Sequence, residues 1–280
     1  MTWQLHHPSL PSDNICAFDK QRECDMRDDH MSNGSIQSVL KALQMLDLFA
    51  IAPGWNMTDI SKELNYPTST THRLLLTLEE AGYIHRDVQS KMYYLTIKPY
   101  LIGSKTEIVN MLEKLALASI RELAQNLNES VNVSIALGLN AVTVLKADAE
   151  RQFSAVPHVG DKRQLHATSV GKCLLAYNSN GCYDHLMKSS ELLKSYTPNT
   201  IIEKKAIEKM GETIRYQGFA TDHEEVEVGL TCIGAPIFDQ LGNCIAAVSV
   251  SMPTFRITDK EAVISQVIKT AGKISSKFKF

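Results

Sequence analysis

The sequence predicts an α+β protein in two parts: a small head of three helices and a β-hairpin, then an antiparallel sheet flanked by helices. Three observations carry this. Apolar residues recur at helical spacing in three successive segments of the first hundred residues. Two short strand-like runs follow, separated by the polar turn DVQSK. After Asn128 the pattern changes to short apolar runs, divided by turn residues and interleaved with helical segments.

Residues 1–34 show no such pattern. They are polar, contain Pro8 and Pro11, and read as a disordered extension. Met26 and Met31 stand just ahead of the first patterned segment as alternative starts. Order begins at IQSVLKALQMLDLFA, where Val39, Leu40, Leu43, Leu46 and Phe49 share helical spacing, with Ala42 and Leu48 widening the stripe. Gly54 breaks that helix. Asn56 or Thr58 caps a second one, MTDISKELN, whose Ile60 and Leu64 face one way. Tyr66 and Pro67 interrupt it.

The third helix lies in TSTTHRLLLTLEEAGYI, with Thr68 and Ser69 competing to cap its start. Leu74, Leu75 and Leu78 give it an apolar back, while Ser69, Thr70, Thr71, His72 and Arg73 crowd its first turns with hydrogen-bonding groups. A DNA-recognition helix needs this asymmetry, because its back packs on neighbouring helices while its front meets phosphates and base edges. Arg73 suits a phosphate or a guanine, and Thr70 and Thr71 suit short contacts. A capped helix in an ordinary small bundle would carry the same residues. The following segment favours the first reading: Gly82 suits a helix C-cap, Tyr83–His85 and Met92–Leu95 form a hairpin, and three helices before a hairpin is the winged helix-turn-helix order. Arg86 and Lys91 flank the wing, either reaching the DNA backbone or solvated. The head spans 35–96, and a linker spans 97–107.

Composition adds restraint. The net charge is -2, and the segment from Ser32 to Ser104 holds six Lys or Arg against six Asp or Glu. Binding of double-stranded DNA therefore depends on a few placed cations and not on a general positive field. The six cysteines form no CxxC pair, which suits a reduced compartment, the cytoplasm. No run approaches the ~18 apolar residues of a membrane span, and the N-terminus lacks the pattern of a secretion signal.

The second part, 108–280, opens with a long amphipathic helix carrying Ile108, Met111, Leu112, Leu115, Ile120, Leu123 and Leu127. That helix either forms a dimer surface or packs on its own domain's sheet. Strands are expected at VNVSIAL, AVTVLKA, CIGAPIF and CIAAVSVS, and helices at Ser169–Tyr177, Ile201–Tyr216 and Asp259–Lys277, on one side of the sheet. In HVGDKRQLHATSVGKCLLA a loop delivers Thr168 and Ser169 to a helix start, where exposed N–H groups suit a carboxylate or phosphate. In GFATDHEEVEVGLTCIGAPIFD, a loop carries Asp222, Glu224 and Glu225 toward the strand of Cys232. Cys232 with His166 or His223 has the residue types for nucleophilic hydrolysis, and Asp222, His223 and Cys232 those for zinc, but no spacing supports either. Neither catalysis nor a metal or cofactor is expected.

From Ser35 to Phe280 the chain resembles the IclR-type transcriptional regulators. LHATSVGKCLLA is similar to that family's LHxTAxGKxxLA segment, and Gly218, Asp222, Glu225, Cys232, Ile233, Gly234, Ile237, Phe238 and Asp239 fit its signature. The resemblance implies a GAF/PAS-like effector-binding domain and a homodimeric or homotetrameric repressor or activator. It would respond to a small, anionic effector such as a sugar acid or aromatic acid. It also implies an effector cup of Ser169, Val170, Asp222, Cys232, Ser249 and Ser251. SKMYYLT departs from the family's Gly-Arg-Tyr-Arg-Leu wing, since Tyr93 and Tyr94 carry no charge.

Overall fold

The structure, a computed structural model, describes residues 35–148, 157–190 and 192–278. The expected extension at 1–34, with Cys16 and Cys24, lies outside the described residues. Contacts divide the chain into two compact units that meet at Lys105 and Thr106.

The first unit contains α1 (Gln37–Leu48), β1 (Gly54–Trp55), α2 (Met57–Glu63), α3 (Thr68–Glu80), β2 (Ile84–Arg86), β3 (Tyr93–Leu95) and α4 (Lys98–Gly103). Asn56 caps α2, its side chain accepting from Asp59 N at 2.9 Å. The start of α3 differs from expectation: Pro67 holds the capping position and no side chain caps it. Its end follows expectation. Gly82 takes φ +75°, Gly82 N donates to Glu79 O and Tyr83 N to Leu78 O, both at 2.9 Å, which turns the chain directly into the wing.

Composition did not reveal the short β1, which makes the wing three-stranded in the order β1-β3-β2. Gly54 is required there, since a Cβ would sit 2.5 Å from the Tyr94 ring. The head's core gathers Met45, Leu48, Ile60, Leu75, Leu78, Ile84 and Tyr93. The expected stripe on α1 is split as a result. Leu48 and Phe49 turn inward, whereas Val39, Leu40 and Leu43 remain exposed, Leu43 by 54%.

The second unit contains α5 (Glu107–Leu127), β4 (Ser130–Leu137), β5 (Asn140–Ala147), β6 (Lys162–Gln164), α6 (Ser169–Ala176), α7 (Cys182–Lys188), α8 (Lys204–Gln217), β7 (Ala220–His223), β8 (Leu230–Phe238), β9 (Cys244–Pro253) and α9 (Lys260–Ser276). Its six strands pair antiparallel in the order β6-β5-β4-β9-β8-β7, so the first strand of the unit lies beside the last at the centre.

Helices cover both faces, not one. Beneath the sheet, Leu112, Ile120 and Leu123 of α5 and Val267, Ala271 and Ile274 of α9 pack on Val131, Val133, Ile233, Val248 and Val250. Of the two expectations for α5, packing on its own domain's sheet takes up Leu112, Ile120 and Leu123. Above it, Cys173 and Leu174 of α6 and Ile207 and Ile214 of α8 pack on Ala136, Ala141, Ala220 and Ala247. Covered on both sides, β9 has no exposed position.

Candidate functional site

In the head, the outward side of α3 presents Ser69, His72 and Arg73, all exposed, with Thr70 half-buried. Spacings of three and four residues put Ser69, His72 and Arg73 on one face. Thr71 is a correction: it is fully buried, and its hydroxyl donates to Pro67 O at 3.3 Å, so it belongs to the head's core and not to a DNA contact. On the wing, Asp87 organises the turn by accepting from Ser90 N and Ser90 Oγ, each at 2.7 Å. Lys91 sits at φ +59° at its tip, exposed. Arg86 lies 5.4 Å from the Tyr93 ring centre, with Nε donating to Lys91 O at 3.5 Å. Its charge is therefore held against the wing's own surface.

The second unit holds a cavity, partly open to solvent, between the upper face of the sheet and the start of α6. All six expected cup residues, Ser169, Val170, Asp222, Cys232, Ser249 and Ser251, line it. Strand alternation explains the gathering. Along β4, Val131 and Val133 point down into the lower core while Asn132 and Ser134 point up; along β9, Val248 and Val250 point down and Ser249 and Ser251 up. Strand pairing then sets these residues in rows: Asp222 beside Cys232 beside Ser251, and Gly234 beside Ser249 beside Asn132. A bulge completes the floor. Val133 pairs with Leu145 but Ser134 with Thr143, so Val144 is extra, and Thr143 faces the cavity while Leu145 faces the lower core.

The helix start is pinned onto this floor by two glycines. A Cβ on Gly171 would lie 2.2 Å from Leu165 O, and one on Gly234 3.2 Å from Ser169 Oγ. Thr168 caps α6, its hydroxyl accepting from Gly171 N at 3.1 Å. Ser169, 1% exposed, has a hydroxyl with no partner among the described residues.

Asp222 lies on β7 and not on the expected loop. Its carboxylate accepts from Glu225 N at 2.8 Å. Burial pushes its pKa up to about 7, only partly offset by that N–H and by the Lys172 ammonium. Lys172 and Glu225 form a buried ion pair behind the cup, and Lys172 Nζ also donates to Thr221 O at 3.0 Å. Burial raises the Cys232 thiol well above the usual range, with Asp222 adding to the effect, and Cys232 Sγ donates to Ser251 Oγ at 3.3 Å. A thiol so held is a poor nucleophile. His223 pairs across from Thr231 while Asp222 pairs across from Cys232, so consecutive residues put His223 on the opposite face. His166 is committed through Nε2 to Lys194 O at 2.9 Å. Among the described residues, no three His, Cys, Asp or Glu side chains come together as a metal site.

Among the polar and charged lining residues, sequence reasoning missed four: Asn132, Ser134, Thr143 and Arg163. Arg163, on edge strand β6, is the cup's one cation among the described residues. A signal existed in VNVSIAL, where Asn and Ser alternate with Val, Val and Ile, but the same alternation describes a strand with one wet face.

Comparison with known proteins agrees with this anatomy. The IclR helix-turn-helix domain model matches residues 38–88, and the model of the C-terminal domain of IclR bacterial transcriptional regulators matches 106–276. The HTH-type transcriptional regulator BhcR of Paracoccus denitrificans is 31% identical over 245 residues, which cover 87% of this chain and 88% of that protein. The crystal structure of Thermotoga maritima IclR is similar at 27% identity and a TM-score of 0.62, covering 88% of this chain and 100% of that one. An IclR homologue from Microbacterium hydrocarbonoxydans, solved with 4-hydroxybenzoate, shares the fold at 19% identity and a TM-score of 0.75, covering 87% of this chain and 99% of that one. No described helix is long and apolar enough to cross a membrane. Matched in both its head and its cup-bearing domain, the chain belongs to the IclR family of DNA-binding, effector-responsive transcriptional regulators.

Proposed function

We propose that this regulator reads a double-stranded operator with Ser69, Thr70, His72 and Arg73 of α3, assisted by Arg86 and Lys91. In this reading the cup takes a small anionic carboxylate whose breakdown its target genes serve. The observation that carries the reading is the buried polar face of the sheet, closed by a helix start and by Arg163. Polar side chains are costly to bury without partners, so a face of them around a cavity suits a ligand that supplies hydrogen bonds. Helix-start N–H groups and the Arg163 guanidinium suit the negative end of that ligand. The effector acts by binding one arrangement of paired heads better than the other. Binding of the DNA flanking the chain's own gene, titrated with salt and with a panel of small acids, tests this. The expected result is sequence-selective binding whose affinity changes with one class of acid. No selectivity at low salt, or none of the acids altering it, would sink the reading.

The heads pair, in this proposal, through the exposed apolar side of α1, where Ile36, Val39, Leu40 and Leu43 lie at spacings of three and four residues. A contiguous apolar face of this kind is characteristic of an interface. Leu43→Glu with Leu40→Glu is expected to weaken association of the full chain by at least about tenfold in sedimentation, leaving the head's circular dichroism intact. Unchanged association would place the interface elsewhere.

Asp222 makes acid binding pH-dependent. It faces Cys232 on β8 and Glu225 beyond β7, with the Lys172 ammonium of α6 acting at longer range. When neutral it tolerates an acidic ligand, and when ionised it repels one. Affinity is therefore expected to fall as pH rises through about 7, and Asp222→Asn should flatten the profile. The same raised pKa works on stability. The contribution is fully present below the carboxyl's ordinary 3.8 and is lost as pH rises through about 7, so Asp222→Asn should raise the melting temperature most at pH 8. Equal slopes in wild type and variant would refute the role.

A further inference from the structure

We propose that Asn132 is the specificity-determining residue of the cup, and that the ligand it selects is an open-chain aliphatic hydroxy acid. The inference rests on the acid-binding reading above and adds the ligand's chemistry.

Asn132 is 2% exposed, and both its amide Nδ2 and its carbonyl Oδ1 lack a hydrogen-bond partner among the described residues. Its neighbours Val131 and Val133 enter the lower core, so alternation aims the amide up into the cavity it lines. Several other polar groups of the lining are already matched to one another. Ser134 and Thr143 share a hydrogen bond at 3.4 Å, and Cys232 donates to Ser251 at 3.3 Å. Among the described residues, Asn132 and Ser169 are the two lining residues with fully buried polar atoms that lack a partner.

An amide with both ends open asks for a group that donates and accepts at once. A hydroxyl does both. A carboxylate accepts only and would leave Oδ1 unsatisfied, while a methyl or aromatic C–H does neither. Among the described residues the lining holds no aromatic ring to stack on a flat ligand; beyond its polar groups it offers aliphatic side chains such as Ala141, Val170, Val226 and Leu230. The spacing fits a linear molecule. Ser169 sits over Gly234, and Asn132 lies two strands away in the same row, on the order of 10 Å. A carboxylate at the α6 start thus leaves the hydroxyl-bearing carbons over Ser249 and Asn132.

The test is calorimetric titration of the full chain with aldonates of about four to six carbons, with unsubstituted acids of matching length, and with 4-hydroxybenzoate. The wild type is expected to bind at least one aldonate about tenfold or more tighter than its unsubstituted partner. Asn132→Leu should collapse that ratio toward one by weakening the aldonate alone. Should Asn132→Leu fail to fold by its melting curve, Asn132→Ser takes its place, and a ratio reduced but above one is expected. Unsubstituted or aromatic acids binding as tightly as aldonates would overturn the proposal, as would a ratio that either folded variant leaves unchanged. Failure of every acid to bind is a different result. It would overturn the acid-binding reading itself, and this inference with it.

Discussion

Replacing Lys172 with methionine is expected to destabilise the second unit by about 3–5 kcal/mol, the cost of leaving a buried charge without its partner. Lys172 is 2% exposed and Glu225 5%, and one carboxylate oxygen of Glu225 already lacks a hydrogen bond among the described residues. Removing the ammonium leaves Glu225 buried, charged and almost unsatisfied. The damage should spread to the cup. Glu225 N donates to Asp222 and Glu225 O accepts from Thr200 Oγ1 at 2.6 Å, so the segment between β7 and β8 is held through this residue. Denaturant unfolding of the full chain, followed by a probe in the second unit, measures the loss. Lys172→Met combined with Glu225→Leu should recover much of it, because replacing both charges by apolar groups removes the desolvation cost as well as the attraction. A double variant no more stable than Lys172→Met would show that the pair acts through geometry and not through charge.

Arg73→Ala is expected to weaken operator binding by about tenfold to a hundredfold, with little change in stability. The side chain is exposed on the outward face of α3, away from Leu74, Leu75 and Leu78, so its loss opens no cavity. The head has no surplus of positive charge to compensate. Arg86 is the natural comparison, and its substitution should cost less, since its guanidinium is partly engaged with the Tyr93 ring and Lys91 O. The salt dependence tells the two uses of Arg73 apart. A phosphate contact lowers affinity equally for all sequences and reduces the salt slope by about one, whereas a guanine contact relaxes selectivity at one base pair. Wild-type affinity in the Arg73→Ala protein would remove α3 from the interface.

Much of this was legible in the residues. The order of helices and hairpin in the head followed from apolar spacing and from Gly82, whose positive φ only glycine adopts cheaply. The six cup residues were named from motif resemblance and do line one cavity. What was not legible had physical causes. Thr71 looked like its polar neighbours Thr70 and His72, yet its place on the helix circumference turns it into the core, where a backbone carbonyl satisfies its hydroxyl. The strands β1, β6 and β7 are four residues or fewer, too short for a period to register, and exist because longer strands offer them an edge.

By itself, then, the sequence determined the kind of protein: a helical head with a polar-fronted third helix, joined to a sheet domain bearing a family's signature. Alternation in VNVSIAL and in AVSVS also determined that each strand would have one aliphatic and one polar face. Only the tertiary structure decided what the polar face meets. A polar strand face turned to water and one turned to a buried cavity have the same pattern, because alternation records which residues share a side and not what lies across from it. The α6 start, pressed onto Gly234 and Leu165 by glycines that leave no room for a Cβ, covers part of that face. It thereby turns Asn132 and Ser169 from surface residues into buried groups without a partner among the described residues.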